Sequence, residues 1–297
     1  MTSNAPTQFS FSARDGRTIT AYRWEPGGPP RGLVQLTHGM GEHVLRYAPL
    51  AGELTNSGYL VVGQDHRGHG ASAASDAELG VIGPDGWAEL VHDIHLLAEL
   101  VRAAHPGLPL AIVAHSMGSF ATQQYLLDHS DEVDAVAMTG TGLLDLIEPT
   151  LDLDQPLSLA IFNAAFEPAR TDFDWLSRDE ARVDAYLADP HCGFGLDIEG
   201  TKAMFTAARA MADPKRLAAM RSDLPLYLGV GEQDPVNGQL ALVYAMIDRF
   251  RDAGLDDITL KTYPDARHEI FNETNRAEVV ADLLAWLDRA LSSARSG

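Results

Sequence analysis

Five short apolar runs, each ending in small or polar residues, constrain the fold of this sequence more than any other feature. They are GLVQLTHG, YLVVGQD, LPLAIVAHS, VDAVAMTG and PLYLGVGEQD. Near-continuous apolarity is typical of strands covered on both faces, as in a parallel sheet. Helical patterns lie between the runs, and the longest, GWAELVHDIHLLAELVRAAHPG, stops at His105-Pro106. The alternation predicts an α/β fold with a mostly parallel central sheet, flanking helices and right-handed crossovers.

Further elements extend this pattern at both ends of the chain. FSFSA and RTITAYRW alternate and are joined at Asp15-Gly16, which predicts a hairpin. YAPLAGELTNSG predicts a helix that closes at Gly58. After the last apolar run we expect a helix over about 239–253, a strand in DITLKTY and a helix in NRAEVVADLLAWLDRAL.

The alternation breaks between residues 141 and 220, where only helical patterns rich in Ala, Leu and Phe are found. Three helices are predicted there, in DQPLSLAIFNAAFEPA, in SRDEARVDAYLADP with Ser177 as its cap, and in IEGTKAMFTAARAM. The simplest organisation is an α/β core made of residues 1–140 and 221–297, interrupted by a helical cap at 141–220.

Charge and composition exclude several classes of protein. The 297 residues carry a formal charge of −20, which argues against a nucleic-acid partner and against electrostatic docking on anionic lipid. Cys192 is the single cysteine, so no internal disulfide is possible, and a reducing compartment fits. The N-terminal stretch MTSNAPTQFSFSARDG lacks the charge and apolarity of a secretion signal, and no apolar run is long enough to span a membrane. We therefore expect a cytoplasmic protein.

Residues that could take part in catalysis follow four of the predicted strands. The loops are THGMGEH, HSMGS, GEQDPV and YPDARHEIF, which supply a glycine-flanked turn, a serine, an aspartate and a histidine in that order. In open α/β sheets the ligand crevice lies at the carboxyl ends of the strands, so we expect these loops to converge there.

The order Ser, Asp, His is the one found in α/β-hydrolases. The sequence resembles that superfamily, and within it the branch of monoacylglycerol lipases and lysophospholipases. The motifs that carry the resemblance are HGMGEHVLRY, DHRGHGAS, AHSMGS, GEQDPV and ARHEIFNE, which span residues 38–273. Related esterases, thioesterases and peptidases share several of them. The resemblance implies a serine hydrolase with a helical cap.

Ser116 is the candidate nucleophile. The usual corner motif is G-x-S-x-G, and here the first position is Ala114 while the last is Gly118. Small residues are needed at both places because the chain folds back on itself, and alanine adds only one methyl group. A helix beginning near Met117 would direct its positive end at the reacting carbon. The alternative is a serine that only caps this helix.

His268 is the candidate general base, because it alone among the histidines follows the last strand and precedes a helix in the ARHEIF pattern. A purely structural histidine is the alternative. Asp234 is the candidate orienting acid, since the resemblance places the family's acid in GEQDPV. Its rivals are Glu232 and Asp265, and a capping role before Pro235 is the other possibility for Asp234.

Backbone N–H groups of Met40 and Met117 are the candidate oxyanion hole, and Gly39 and Gly41 would let the first loop approach the substrate. The side chain of Met40 could fill a gap in the core at the same time. Residues that we assign to bracing of the loops are His38, His43, Asp65, Arg67 and His69. No cluster has ligand spacing suited to zinc and no glycine-rich loop resembles a phosphate cradle, so no metal and no cofactor are expected.

The cap is expected to select the substrate. Its first apolar segment includes the candidate substrate-binding residues Leu157, Ile161, Phe162 and Phe166. They predict a tunnel for an acyl chain and a face that transiently touches lipid aggregates or a membrane surface. The alternative is that they pack the cap onto the core. For Cys192 we expect a buried, inert thiol rather than a thiol-sensitive gate.

An acyl-ester hydrolase acting on monoacylglycerol or lysophospholipid is the function predicted by these features, with a small-molecule ester as substrate. The same fold could serve a thioesterase, an acyltransferase or an aminopeptidase, and a catalytically silent scaffold is the hypothesis from another class. A dehalogenase or epoxide hydrolase of this fold would carry Asp in place of Ser116. The sequence does not indicate an oligomeric state.

Overall fold

The strands of this chain form one eight-stranded sheet in the order β1-β2-β4-β3-β5-β6-β7-β8. The computed structural model describes residues 5–293. Residues 1–4 and 294–297 belong to the predicted core, and residues 1–4 also to the stretch assessed for a secretion signal; both ranges lie outside the described residues. The strands are β1 (Thr7–Ser12), β2 (Thr18–Trp24), β3 (Gly32–Thr37), β4 (Tyr59–Gln64), β5 (Leu110–His115), β6 (Ala135–Thr139), β7 (Leu226–Gly231) and β8 (Ile258–Tyr263). Only β2 runs antiparallel to its neighbours, β1 and β4.

Helices connect the parallel strands. The α-helices are α1 (Ala48–Asn56), α2 (Gly86–Ala104), α3 (Met117–His129), α4 (Leu144–Ile147), α5 (Glu180–Ala188), α6 (Ile198–Ala208), α7 (Pro214–Leu217), α8 (Ala241–Asp252) and α9 (Arg276–Ser293). Short 3₁₀ helices occupy Val44–Tyr47, Gly70–Ser72, Asp76–Glu78, Ser130–Glu132, Glu148–Thr150, Leu159–Phe166, Asp174–Leu176, Arg209–Ala212, Pro235–Asn237 and Ile270–Asn272. The predicted α/β fold, its hairpin at Asp15-Gly16 and the end of α1 before Gly58 are confirmed.

The apolar runs lie in the middle of this sheet because both of its faces are covered. On one face α1 and α9 pack through Leu54 and Leu287 against side chains such as Val34 and Val61. On the other face α2, α3 and α8 cover the sheet in a second apolar layer that continues into the segment at 141–220. Every residue of β3, β4, β5, β6 and β7 is buried, which explains why these strands lack polar alternation.

The strand order reverses beside β3. The chain passes from β3 to β4 on one side and then returns to β5 on the other, where Thr37 pairs with Ala114. Loops leaving the carboxyl ends of two such strands diverge and leave a crevice between them. The THGMGEH and HSMGS loops flank that crevice, so the topology itself brings two of the predicted motifs together.

The segment from 141 to 220 contains helices and loops but no strand, as predicted. Its first predicted helix was wrong in type and extent, because the structure has a 3₁₀ helix over Leu159–Phe166 instead of a long α-helix. The buried Asn163 ties this turn to the next one: its amide donates to the Thr171 carbonyl at 2.8 Å and accepts from the Trp175 N–H at 2.9 Å. A longer regular helix would carry Asn163 away from both partners.

The predicted cap of the second helix was also wrong. Helix α5 begins after Asp179, whose carboxylate accepts from the Ala181 N–H at 3.1 Å. Ser177 instead donates its hydroxyl to the Asn272 carbonyl at 3.0 Å and so links this segment to the core. Within residues 5–293, no helix is both long and apolar enough to cross a bilayer.

Candidate active site

Ser116 occupies a sharp turn between β5 and α3. Its backbone has φ 49° and ψ −121°, a strained conformation for a residue with a side chain. The Ser119 and Phe120 N–H groups donate to the Ser116 carbonyl at 2.8 and 3.0 Å, but its side chain makes no capping hydrogen bond. The turn therefore does not use Ser116 as a side-chain cap, and its hydroxyl stays available for chemistry.

Gly118 is required where α3 passes against the end of β3. A Cβ atom at this position would lie 2.5 Å from the Thr37 carbonyl oxygen and 2.6 Å from that of His38. Ala114, the departure from the usual motif, is buried within β5 and fits there with its methyl group. The tight requirement thus falls on the glycine two residues after Ser116.

His268 and Asp234 meet at the carboxyl ends of β8 and β7. The His268 Nδ1 atom lies 3.0 Å from each carboxylate oxygen of Asp234, and both residues are buried. One of these oxygens also accepts from the Val236 N–H at 2.9 Å. Asp234 therefore caps the turn that begins at Pro235 and contacts the histidine as well, so the two roles predicted as alternatives coexist.

The two rival acids lie elsewhere. Glu232 accepts a hydrogen bond from the Thr262 hydroxyl at 2.9 Å, and Asp265 is exposed in a left-handed turn with φ 59°. Neither forms a hydrogen bond with His268, whereas Asp234 does.

The surroundings of His268 favour its charged form. Burial alone would lower the pKa of the imidazole, but the Asp234 carboxylate outweighs it and the pKa of His268 is raised above its usual value. Two rings pack on it, those of His115 at 4.7 Å and Trp175 at 4.8 Å between centroids. Burial lowers the pKa of His115 to about 4, so this neighbour is neutral near pH 7.

Ser116 and His268 line the same cavity, together with Met40 and Met117. No hydrogen bond joins the serine hydroxyl to the imidazole in this structure, although such bonds often tighten only once substrate is bound. Because Nδ1 of His268 faces Asp234, its Nε2 atom is the nitrogen left for a partner in the cavity. The fold thus brings together the three side chains at 116, 234 and 268.

The loop after β3 is held from behind. The Gly39 N–H donates to the Glu42 carboxylate at 2.6 Å, and the Gly41 carbonyl accepts from the Gly193 N–H at 3.0 Å and the Tyr186 hydroxyl at 2.8 Å. Between them, the Met40 N–H donates to no acceptor among the described residues. Its position between two fixed neighbours suits a backbone donor aimed at a substrate oxygen.

A buried ionic cluster lies behind this loop and was not predicted from the sequence. The Arg46 guanidinium pairs with both Glu42 and Glu269, and contacts Glu269 at 2.6 and 2.8 Å. The Tyr47 hydroxyl donates to Glu42 at 2.7 Å. Burial would raise the pKa of Glu42, but Arg46 holds it below its usual value. The signal available was the spacing of Glu42 and Arg46, four residues apart in GEHVLRY.

The cavity is lined mostly by apolar side chains, and its polar end is where Ser116 and His268 lie. It measures about 670 Å³ including its open mouth. Its apolar wall is formed by Phe120, Leu144, Ile147, Leu151, Leu157, Leu159, Phe162, Met204, Phe205 and Val236. Of the predicted substrate-binding residues, Leu157 and Phe162 therefore line it.

Ile161 and Phe166 do not line the cavity, which corrects their predicted contact with an acyl chain. Ile161 is 47% exposed, because the 3₁₀ winding turns it outward, and the Arg267 guanidinium lies 4.3 Å from the Phe166 ring. The cavity is thus built by part of the predicted segment and by core residues that sequence patterns could not single out.

The remaining polar motifs brace loops, as predicted. Asp65 accepts from the Val44 and Ala71 N–H groups at 2.9 and 2.8 Å, and Arg67 forms a bidentate contact with Asp93 at 2.8 and 3.0 Å.

Cys192 is half-buried, and burial raises the pKa of its thiol, so the reactive thiolate form is disfavoured.

Comparison with known proteins identifies the family. Residues 28–275 match the family described as serine aminopeptidase, S33. The monoacylglycerol lipase of Mycolicibacterium smegmatis is 32% identical over 97% of this chain and 99% of its own length. The monoglyceride lipase of Mus musculus is 25% identical over 95% of this chain and 91% of its own.

A solved structure agrees with these sequence matches. The thermostable carboxyl esterase from Bacillus coagulans, in complex with glycerol, superposes with a TM-score of 0.86 at 27% identity, covering 97% of this chain and 99% of that one. Since the family model spans most of the chain and a full-length relative is 32% identical, this chain belongs to the serine aminopeptidase S33 family of α/β-hydrolases, in the branch that contains the monoacylglycerol lipases.

Proposed function

We propose that this chain is a serine esterase that hydrolyses monoacylglycerols or closely related acyl esters such as lysophospholipids. The observation that carries the proposal is the apolar cavity that Ser116 and His268 line at its polar end. An acyl chain would bury its methylenes against that wall, at about 0.8 kcal/mol for each one removed from water. The activities named for the relatives, a monoacylglycerol lipase and a carboxyl esterase, agree with such a substrate.

The reaction would proceed in two balanced steps. The Ser116 oxygen bonds to the acyl carbon while its proton passes to Nε2 of His268, and that proton then leaves with the alcohol as the ester C–O bond breaks. Water gives a proton to His268 and bonds to the acyl carbon, and the proton returns to the Ser116 oxygen as the fatty acid departs. Asp234 stabilises the imidazolium in both steps, and the N–H groups of Met40 and Met117 would hold the oxyanion. No step calls for a cofactor.

Peptide amines are poorly suited to this cavity, despite the description of the family. An aminopeptidase needs a carboxylate that is free to bind the substrate ammonium group. The carboxylates that line the cavity are Glu42 and Glu269, and Arg46 pairs with both. Because the guanidinium engages both carboxylates, neither is free to bind an ammonium group, which favours esters over aminoacyl amides.

Helices α4, α5 and α6 belong to the segment at 141–220, which we propose acts as the cap and contacts lipid aggregates during catalysis. It carries exposed apolar side chains at Leu146, Ile161 and Leu187, which are 43%, 47% and 46% exposed. Ile161→Asp is expected to slow hydrolysis of micellar substrate and leave hydrolysis of a monomeric ester unaffected.

A cytoplasmic location is proposed because the sequence has a single cysteine, which fits a reducing compartment.

Labelling and a substrate panel test the proposed function. A fluorophosphonate probe is expected to label the wild-type chain and not Ser116→Ala. Hydrolysis of monoacylglycerols, lysophospholipids, acyl-CoAs and aminoacyl amides is then compared, with the acyl esters expected to react fastest. Absence of labelling would refute a serine hydrolase of any kind, and preference for aminoacyl amides would refute the ester assignment while leaving the nucleophile in place.

A further inference from the structure

Two histidines and a glutamate meet on the outer side of the core, at the middle of α2 and the end of α3. His95 lies on α2, His129 is the last residue of α3, and Glu132 ends the following turn. One ligand atom from each lies within 4.8 Å of the other two. Since α3 starts beside Ser116 and rises about 1.5 Å per residue, this cluster is about 18 Å from the nucleophile. It is separate from the candidate active site.

Glu132 stands between the two imidazoles. Its carboxylate oxygens lie 3.0 Å from Nδ1 of His95 and 3.0 Å from Nδ1 of His129. The His129 nitrogen forms a hydrogen bond with its oxygen, but the His95 nitrogen makes none with any residue from 5 to 293. The Glu132 oxygen is near enough for an ion pair and too far off the ring's N–H direction for a hydrogen bond.

Burial makes this unpartnered nitrogen costly. His95 is only 9% exposed, so water cannot readily replace the lost hydrogen bond. A buried polar atom without a partner is destabilising by about 1–3 kcal/mol. The other ring nitrogen of His95 lies 3.4 Å from Glu99, which is mostly exposed. A cation bound at Nδ1 would satisfy the one group of the cluster that the protein leaves unsatisfied.

The donor set selects the kind of cation. Two imidazoles and one carboxylate suit Zn²⁺ and its neighbours among the transition metals, rather than Ca²⁺ or Mg²⁺, which prefer oxygen ligands. Bonds of about 2.0–2.1 Å in a tetrahedron place ligand atoms about 3.3 Å apart. Each imidazole lies 3.0 Å from a different oxygen of Glu132, so whichever oxygen binds the ion already has one imidazole near this spacing.

Binding would require a small rearrangement of the rings. The imidazoles of His95 and His129 are stacked at 3.9 Å with 19° between their planes, and each has to turn about its last torsion to point a nitrogen at a shared ion. The side chain of His129 is 28% exposed, which gives it room to turn. The exposed side would leave a fourth position for water.

We propose that His95, His129 and Glu132 form a Zn²⁺-type transition-metal site that fastens the middle of α2 to the end of α3. Its role is structural, because it stabilises the helix that begins at the nucleophile turn without reaching the substrate. Sequence spacing did not predict this site, since 34 residues separate the two histidines (129 minus 95) and only the fold unites them. The net charge of −20 favours cation capture generally, although Arg102, which donates to the Glu132 carbonyl, opposes it locally.

A second cluster provides an internal control. His43, Asp189 and Cys192 also place ligand atoms within 4.8 Å of one another. There, however, the Cys192 thiol is held in its protonated form by burial, which raises its pKa. Metal bound at this cluster would carry a thiolate ligand and is thereby distinguishable.

The experiment uses the full chain, stripped of metal and titrated with Zn²⁺ and with Co²⁺. We expect saturable binding of one ion, a melting temperature that rises with Zn²⁺ concentration, and a Co²⁺ spectrum without thiolate charge-transfer bands. His129→Ala and Glu132→Gln are each expected to weaken binding at least about tenfold, since even indirect partners of a metal are worth about 10–100-fold. Cys192→Ser is expected to bind like the wild type.

Three results would overturn the site: no saturable binding, binding that His129→Ala and Glu132→Gln leave unchanged, or binding that Cys192→Ser abolishes with loss of thiolate bands. Circular dichroism checks that each variant is folded. If His129→Ala does not fold, the result for Glu132→Gln decides whether the site exists. Metal-free His129→Ala is expected to hydrolyse esters at the wild-type rate, so this test is independent of the proposed function.

Discussion

His268 presents Nδ1 to both carboxylate oxygens of Asp234, at 3.0 Å each, and neither side chain is open to water. A contact of this kind fixes which nitrogen carries the proton, so the other nitrogen is free to act as a base in the cavity. It also joins the loops that follow β7 and β8, through two residues that are 34 positions apart along the chain (268 minus 234).

Asp234→Asn is expected to reduce kcat by about 10⁴-fold, the loss seen when a triad aspartate becomes asparagine in another serine hydrolase. The amide would offer an N–H to the ring and favour the unproductive tautomer. Steady-state hydrolysis of a soluble p-nitrophenyl ester measures the change. Glu232→Gln, two residues away on the same loop, is the matched control and is expected to retain activity because Glu232 bonds to Thr262 instead. Similar losses in both variants would contradict the assignment.

Because the pKa of His268 is raised, the dependence of kcat/KM on pH can be predicted. The base has to be neutral, so kcat/KM is expected to rise with pH through an ionisation above about 6.5, the usual histidine value. The charged ring's contribution to folding runs the opposite way, because it is present at low pH and lost as pH rises through the folded pKa.

A pH profile of kcat/KM on the soluble ester checks this. His115→Gln is expected to leave the position of the acid limb unchanged, because burial lowers the pKa of His115 to about 4. An acid limb that lies at or below the ordinary histidine value, or one that moves when His115 is replaced, would assign the ionisation elsewhere.

Features set by residues close together in the sequence could be predicted, whereas features set by tertiary contacts could not. Strand runs, the turn at Ser116 and the loop order are local patterns, and the fold confirms the α/β arrangement that they predicted. The 3₁₀ winding around Asn163 was not predictable, since its hydrogen bonds to Thr171 and Trp175 depend on tertiary position. Ile161 was misplaced for the same reason, because a change of helix type rotates every later side chain.

Glu42→Ala tests whether the ionic cluster positions the loop that carries Met40. The variant frees the Gly39 N–H, so the loop is expected to shift and kcat to fall by about 10²-fold, the cost of a misplacement near 1 Å. KM is expected to change little. Tyr47→Phe removes the other hydrogen bond to the same Glu42 oxygen, keeps the Gly39 contact, and is expected to stay near wild type.

Stability has to be measured beside activity for this pair. Removing Glu42 takes one of two carboxylates from the buried Arg46, which stays paired with Glu269, so the loss of unfolding free energy is expected to stay below the about 3–5 kcal/mol of a buried charge left unpaired. Urea titration shows whether the variant is folded under assay conditions. If Tyr47→Phe loses as much kcat as Glu42→Ala, the Gly39 contact is not the reason for the loss.

Gly118→Ala tests the packing of the nucleophile turn. The added methyl would lie 2.5 Å from a Thr37 backbone oxygen that cannot move without distorting β3. Overpacking of this kind is expected to lower the unfolding free energy by at least about 1–3 kcal/mol. Gly52→Ala in α1 is the control: a methyl group added there meets nothing within 4 Å, so the variant is expected to be more stable by about 0.4–1 kcal/mol. Equal effects in urea denaturation would rule out the clash.

Leu157→Trp tests whether the apolar cavity receives the acyl chain. The larger ring would narrow the wall, and each methylene excluded from it loses about 0.8 kcal/mol, so exclusion of two lowers kcat/KM for long-chain monoacylglycerols more than tenfold. Short-chain esters are expected to react as before. Ile161→Trp, four residues along the same segment and 47% exposed, is expected to leave the ratio of long-chain to short-chain rates unchanged for monomeric substrates. A uniform loss across chain lengths in Leu157→Trp would place the acyl chain elsewhere, because a wall residue acts only on the part of the substrate that reaches it.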